Sequence, residues 1–209
     1  MTERIVRKLD ADIINSLELE DYECQTAINN VVMSMSNGHG LDDAATKRQF
    51  ERLIDHSMLY DAKKDNISFN VAANIVKEAG GTDSYSWNID FNISKQTLEI
   101  EYTPGEWVDR TIAEIEIDPE LAKKIHRVNT CFNKYGEINI KLDEFGVYSK
   151  VPADIVEDLT KRQVDAYREF ANYKNMLTEE VVNPYLEENG ITNATTWNLN
   201  YTSAKITII

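Results

Sequence analysis

The sequence predicts an α+β fold: helices at the N-terminus, an antiparallel sheet of about five to seven strands behind them, and one long helix near the C-terminus. Three observations carry this. All the prolines, Pro104, Pro119, Pro152 and Pro184, lie beyond residue 100, so the first hundred residues are free for uninterrupted helices. Apolar residues recur there at the three-four spacing of a helix face. After Gly81 the period drops to two, the signature of a strand with one wet face.

Taken in order, Ile5, Leu9, Ile13 and Leu17 recur every fourth position and predict a first helix; Cys24, Ala27, Ile28, Val31, Val32 and Met35 predict a second. A Ser36-Asn37-Gly38-His39-Gly40 loop follows. Asp42 or Asp43 then caps a third helix bearing Phe50, Leu53, Ile54, Ser57 and Met58 on one side. A shorter fourth, with Val71, Ala72, Ile75, Val76 and Ala79, stops at Gly80-Gly81.

Trp87, Ile89, Phe91 and Ile93 alternate with polar residues as a strand. A Ser94-Lys95-Gln96 turn leads to a second strand with Leu98, Ile100 and Tyr102. Thr103-Pro104-Gly105-Glu106 reads as a type II turn, and Thr111 to Ile117 as a third strand. Asp118-Pro119 opens a helix to about Tyr135, ended by Gly136. Glu137 to Leu142 and Val147 to Val151 suggest a hairpin. The longest helix runs from Pro152 to about Asn183, with Ile155, Leu159, Ala166, Phe170, Tyr173, Leu177 and Val181 on one stripe. The tail from Thr195 alternates Trp197, Leu199 and Tyr201 and ends in Ile206, Ile208 and Ile209, a strand pattern. No internal repeat is expected. The division expected is one domain, 1–209, with a helical lobe 1–81 and a sheet lobe 82–209.

A formal charge of −14 repels phosphate backbones and anionic lipid, so neither direct nucleic-acid binding nor membrane association is expected. Cys24 and Cys131 stand far apart on apolar-periodic stretches and read as small buried hydrophobes. The first twelve residues lack the apolar run of a signal peptide, and no span of membrane length occurs. The expectation is a cytoplasmic protein, not secreted, in which the Asn-x-Ser/Thr triplets at Asn66, Asn92, Asn193 and Asn200 are strand and turn residues.

Pairing the strands around Glu99 and Glu114 as neighbours gathers Asp90, Glu99, Glu101, Glu114 and Glu116 on one outward face. Like charges opposed on a sheet are unfavourable. Water, a divalent cation, a basic partner or the protein's own cations are the available offsets, and a hydrated face ranks first, with no metal site assigned. The carboxylate-lysine pattern of metal nucleases is poorly matched: no lysine follows Glu99-Ile100-Glu101, and Asn139 stands between Glu137 and Lys141 where a second acid is wanted. His39 with Asp42 and Asp43 is accounted for by a loop and a helix cap. His56 and His126 have no nucleophile nearby in sequence, and Lys123, Lys124, His126 and Arg127 read as a solvated helix face. Neither a phosphate-cradling glycine loop nor a Gly-x-Ser-x-Gly elbow occurs.

No catalytic residue or cofactor follows from these patterns. The class they favour is a non-enzymatic assembly or interaction protein with protein partners, self-association included. Lys205, Ile206, Ile208 and Ile209 are candidate contacts, because a terminal apolar strand completes its own sheet or a neighbour's, its own being preferred. A composition rich in Asn, Asp, Tyr and Ile with few prolines resembles that of small virion or accessory proteins of bacteriophages. This ranks a virion structural component first, an acidic inhibitor mimicking nucleic acid second and a carboxylate-metal hydrolase third.

Overall fold

The computed structural model describes residues 2–82, 87–92, 96–106, 108–144 and 150–209. A strand, β1 (Glu3–Lys8), leads into a helical hairpin of α1 (Ala11–Ser36) and α2 (Ala44–Asn66). A π-helical turn (Ile67–Ala72) carries α2 into the short α3 (Ala73–Glu78), and a β-hairpin follows, β2 (Trp87–Asn92) and β3 (Thr97–Tyr102). The same order then runs again: β4 (Ala113–Glu116), α4 (Pro119–Glu144), α5 (Ala153–Leu177), a π-helical turn (Thr178–Val182), α6 (Asn183–Glu188), β5 (Trp197–Asn200) and β6 (Lys205–Ile208). Each half builds its own antiparallel sheet with the last strand in the centre, in the orders β1-β3-β2 and β4-β6-β5. The chain therefore repeats one topological unit twice, where the sequence pattern had suggested no repeat.

Local sequence explains the matching boundaries. Asp10 caps α1 by accepting from the backbone N–H of Asp12, and Asp118 accepts from that of Glu120 at the corresponding place before α4. A shift of 108 residues carries Ala11 onto Pro119 and Ser36 onto Glu144. A shift of 110 carries Gly80 onto Gly190, both with positive φ after the short helix, where glycine has no Cβ to clash. The same shift carries Thr82 onto Thr192 and Trp87-Asn88-Ile89 onto Trp197-Asn198-Leu199.

Helix and antiparallel strand are mixed as expected, but two three-stranded sheets replace the single sheet of five to seven strands. The expected first helix is instead β1 followed by the start of α1. Its every-fourth spacing spans the junction, because Ile5, Leu9, Ile13 and Leu17 all join one apolar cluster from two different elements. Gly136 does not end a helix: α4 runs on to Glu144, since Ile138 and Leu142, four apart, are fully buried. A Cβ at Gly136 would lie 3.0 Å from the Gln163 amide nitrogen of α5, so the glycine serves close helix approach. The expected Glu137–Leu142 strand is thus helical. Ser94, Lys95 and 145–149, where a turn and part of a hairpin were expected, lie outside the described residues. The tail is a hairpin, β5 and β6, and not one strand, with Ala204 at φ 53 in its turn.

Two of the three apolar clusters cross the expected division at residue 81. One lies under the first sheet, between Ile5, Leu98, Ile100 and Tyr102 on the strands and Leu17, Ile67, Ala72 and Val76 on the helices. Another lies under the second sheet, where Ile206 and Ile208 meet Ile125, Leu177 and Val182. The largest joins the halves: Ala27, Val31 and Met35 of α1 and Phe50, Leu53 and Ile54 of α2 share it with Ile138 and Leu142 of α4. In this junction α4 touches both α1 and α2, whereas α5 packs on α4. Phe50 and Tyr135 stack across it with ring centres 4.8 Å apart.

Candidate functional site

The acidic face expected from the sequence does not form. β3, with Glu99 and Glu101, pairs with β1 and β2, while β4, with Glu114 and Glu116, pairs with β6 in the other sheet. Asp90 sits opposite Glu99 in register. The two groups are separated because each half closes its own sheet. The offset for their charge comes from a neighbouring strand: Arg4 of β1 pairs with Glu99, and Lys205 Nζ of β6 donates to Glu114 at 2.8 Å. Arg4 was not singled out by sequence reasoning, because β1 read as helix and its facing partners were hidden.

The tail candidates belong to the chain's own second sheet. β6 is the central strand, paired with β4 on one side and β5 on the other, so neither of its edges is open to a neighbouring sheet. Ile206 and Ile208 are buried; Ile209 is bonded to Thr196 through its backbone N–H.

The polar chemistry lies around α2. On its α1 side, the buried carboxylate of Glu20 accepts from His56 Nδ1 at 2.6 Å and Lys63 Nζ at 2.7 Å, and Lys63 also donates to the Ser16 carbonyl. Burial pushes the Glu20 pKa up, but the hydrogen bonds and charges of His56 and Lys63 together outweigh it and hold the carboxyl below its usual range. On its α4 side, buried His126 stacks on Tyr201 at 4.6 Å, with Nε2 3.4 Å from Asp61. Burial, and then the charge of Asp61, pushes Asp65 up. Arg127 bridges α4 to α2, donating to Asp55 at 3.0 Å and pairing with Glu51. The basic cluster of the sequence is therefore divided around α4: His126 and Arg127 face α2, and Lys124 lies 5.4 Å from the centre of the Tyr173 ring. His39 lies 3.9 Å from Asp43, which caps α2 through the backbone N–H groups of Ala45 and Thr46.

A recess of about 170 Å³ opens between α4, α5 and β5, lined by Ile125, Phe170, Lys174, Trp197, Leu199 and Tyr201 among others. It is too small for most cofactors. Among the described residues, no three His, Cys, Asp or Glu side chains come together to hold a metal. Cys131 is half-buried, and burial raises its thiol to about 11, which removes the thiolate a nucleophile needs. No helix among the described residues is long and apolar enough to cross a membrane.

The surface holds a different signal. Nine large apolar side chains are exposed among the described residues, and six fall on two faces. Leu19, Tyr22 and Met33 line the outer side of α1; Ile140, Val164 and Tyr167 lie on α4 and α5, where Phe132 meets Tyr167 at 5.4 Å. Sequence reasoning assigned these helices only their core stripes. Leu19 and Tyr22 each stand between two acidic neighbours, and neither set gives a contiguous apolar run. No known protein family, curated protein or solved structure matches the chain.

Proposed function

We propose that the protein is a non-enzymatic assembly component that acts through protein contacts made by its helices. The observation that carries this reading is the concentration of exposed apolar side chains on α1 and on the α4–α5 pair, with Tyr22 66% and Tyr167 55% exposed. Apolar groups rimmed by charge are the composition of a contact surface, and tyrosine supplies much contact area at little entropic cost. The acidic-inhibitor reading has less support, because the carboxylates nominated for it are split between two sheets and two of them are matched by Arg4 and Lys205.

The test is a photo-reactive phenylalanine analogue placed at Tyr22 or at Tyr167 in the cell that makes the protein. Discrete heavier adducts are expected at both positions, and at neither of two control sites on exposed charged surface. Adducts absent at both positions, or equal at the control sites, overturn the reading.

A further inference from the structure

The two exposed faces have counterparts inside the molecule. A shift of 108 residues from α1 to α4 puts Leu19 in the place of Arg127, Tyr22 in that of Thr130 and Met33 in that of Lys141. Arg127 lies on the part of α4 that meets α2, and Thr130, one turn on, is buried. A shift of 109, set by the helix starts Ala44 and Ala153, puts Thr160 in the place of Glu51, Val164 in that of Asp55 and Tyr167 in that of Met58. Those are the α2 residues that receive α4: Glu51 and Asp55 hold Arg127, and Met58 packs on the shared core. The exposed face of α1 thus corresponds to the docking side of α4, and the exposed α4–α5 face to the groove that α4 occupies.

The junction between the halves is head-to-tail. α4 touches both α1 and α2, but α1 and α5 share no comparable contact, as a twofold between the halves would require. A heterologous contact uses two different faces, so one copy of each is left over at the two ends of the pair. Those leftover faces are changed together. Where the junction places Arg127 against Glu51 and Asp55, the free faces carry Leu19 on one side and Thr160 and Val164 on the other. The charges have been lost on both partners together, which is the complementarity a cognate pair needs.

We propose that a second copy of this chain docks the outer face of its α1, through Leu19 and Tyr22, into the α4–α5 groove at Val164 and Tyr167, continuing the internal stack from one molecule to the next. This rests on the assembly reading and names its partner. An uncharged contact suits self-association of a chain carrying −14, because charge at the contact would add to the repulsion between copies. The contact is smaller than the internal one: the Phe50–Tyr135 stack has Leu159 and Ala27 as its counterparts, and both are already buried. Association is accordingly concentration-dependent, and salt strengthens it by screening the net charge.

The experiment uses the purified full-length chain. Leu19→Cys and Val164→Cys are made separately and oxidised alone and as a mixture, with the wild type controlling for Cys24 and Cys131. A covalent mixed dimer from the mixture, absent from either variant alone and from the wild type, is expected. Dimers of Val164→Cys alone mean a twofold contact and overturn the proposal, as does the absence of any mixed product. Light scattering of the unmodified chain supplies a second reading: a mass that rises with concentration and with salt, and falls to a single chain in Val164→Glu. A wild type that remains a single chain in all conditions overturns self-docking, while adducts at Tyr22 and Tyr167 in the cell would still stand for a different partner.

Discussion

The two halves share one topology, yet ion pairs and lysine contacts that brace one are altered in the other. In the first sheet the edge strand carries the cation, Arg4, and the central strand the anion, Glu99; in the second the edge carries Glu114 and the centre Lys205. The register shows these to be corresponding positions, since Arg4 neighbours Ile5 opposite Ile100 and Glu114 neighbours Ile115 opposite Ile206. In the first half Lys63 of α2 reaches back to the Ser16 carbonyl of α1. In the second, Lys124, in the place of Ser16, reaches across to Tyr173. Backbone pairing and buried apolar positions set the unit, and paired charges are free to exchange sides, because a surface ion pair contributes little whichever strand supplies which sign.

The strongest test of that lesson is the pair of central-strand isoleucines. Ile100 and Ile206 are both fully buried, and truncation of either to alanine should cost about 2 to 4 kcal/mol by denaturant unfolding. Costs differing by more than a factor of about two would mean that the sheets are not equivalent supports. Next comes Glu20, whose place in the second half is taken by Val128. Glu20→Gln weakens two charge-assisted hydrogen bonds and should cost about 1 to 3 kcal/mol near neutrality. Its folded pKa is lowered, so its contribution is complete above the unfolded value near 4.5 and is lost as pH falls through the lower folded value. The variant's stability should therefore fall less steeply on acidification below that point.

A charge exchange sharpens the comparison further. Arg4→Glu or Glu99→Lys alone should destabilise, while the double variant, which dresses the first sheet as the second, should recover most of the loss, with a coupling of about 1 kcal/mol in a double-mutant cycle. An additive double variant would show that the exchange between halves is incidental. The smallest effect belongs to Asp65, near the end of α2, where its charge meets those of Asp61 and His126. Its folded pKa is raised, so near neutrality its charge opposes folding, and stability gained by protonation is present at low pH and lost as pH rises through the folded value. Asp65→Asn should raise the melting temperature slightly at neutral pH and leave it unchanged in acid.

The caps and the strand periods were legible in the sequence: Asp43, Asp118, Gly80 and the alternation around Trp87 each act locally, and local chemistry survives without tertiary context. The repeat was not. Its residue-level trace is small, the Asp10 and Asp118 caps and Gly80–Phe91 against Gly190–Tyr201, while the helices nearly keep their lengths and differ in their side chains. Which strands pair was equally hidden, since β1 and β3 are joined by contacts spanning most of a unit. The acidic patch failed for that reason: Glu99 and Glu114 are close in sequence but belong to sheets closed from opposite ends. The outer faces of α1 and α5 acquire meaning only beside their buried counterparts.

Each long helix is interrupted at the same point, where Ala73 and Asn183 donate to the carbonyls of Ser68 and Thr178, five residues back. A turn of that kind holds one residue more than an α-turn. The repeat therefore extends to a backbone irregularity: one extra residue is wound into the same turn of both helices, so that the short helices α3 and α6 begin at equivalent points, Ala73 and Asn183.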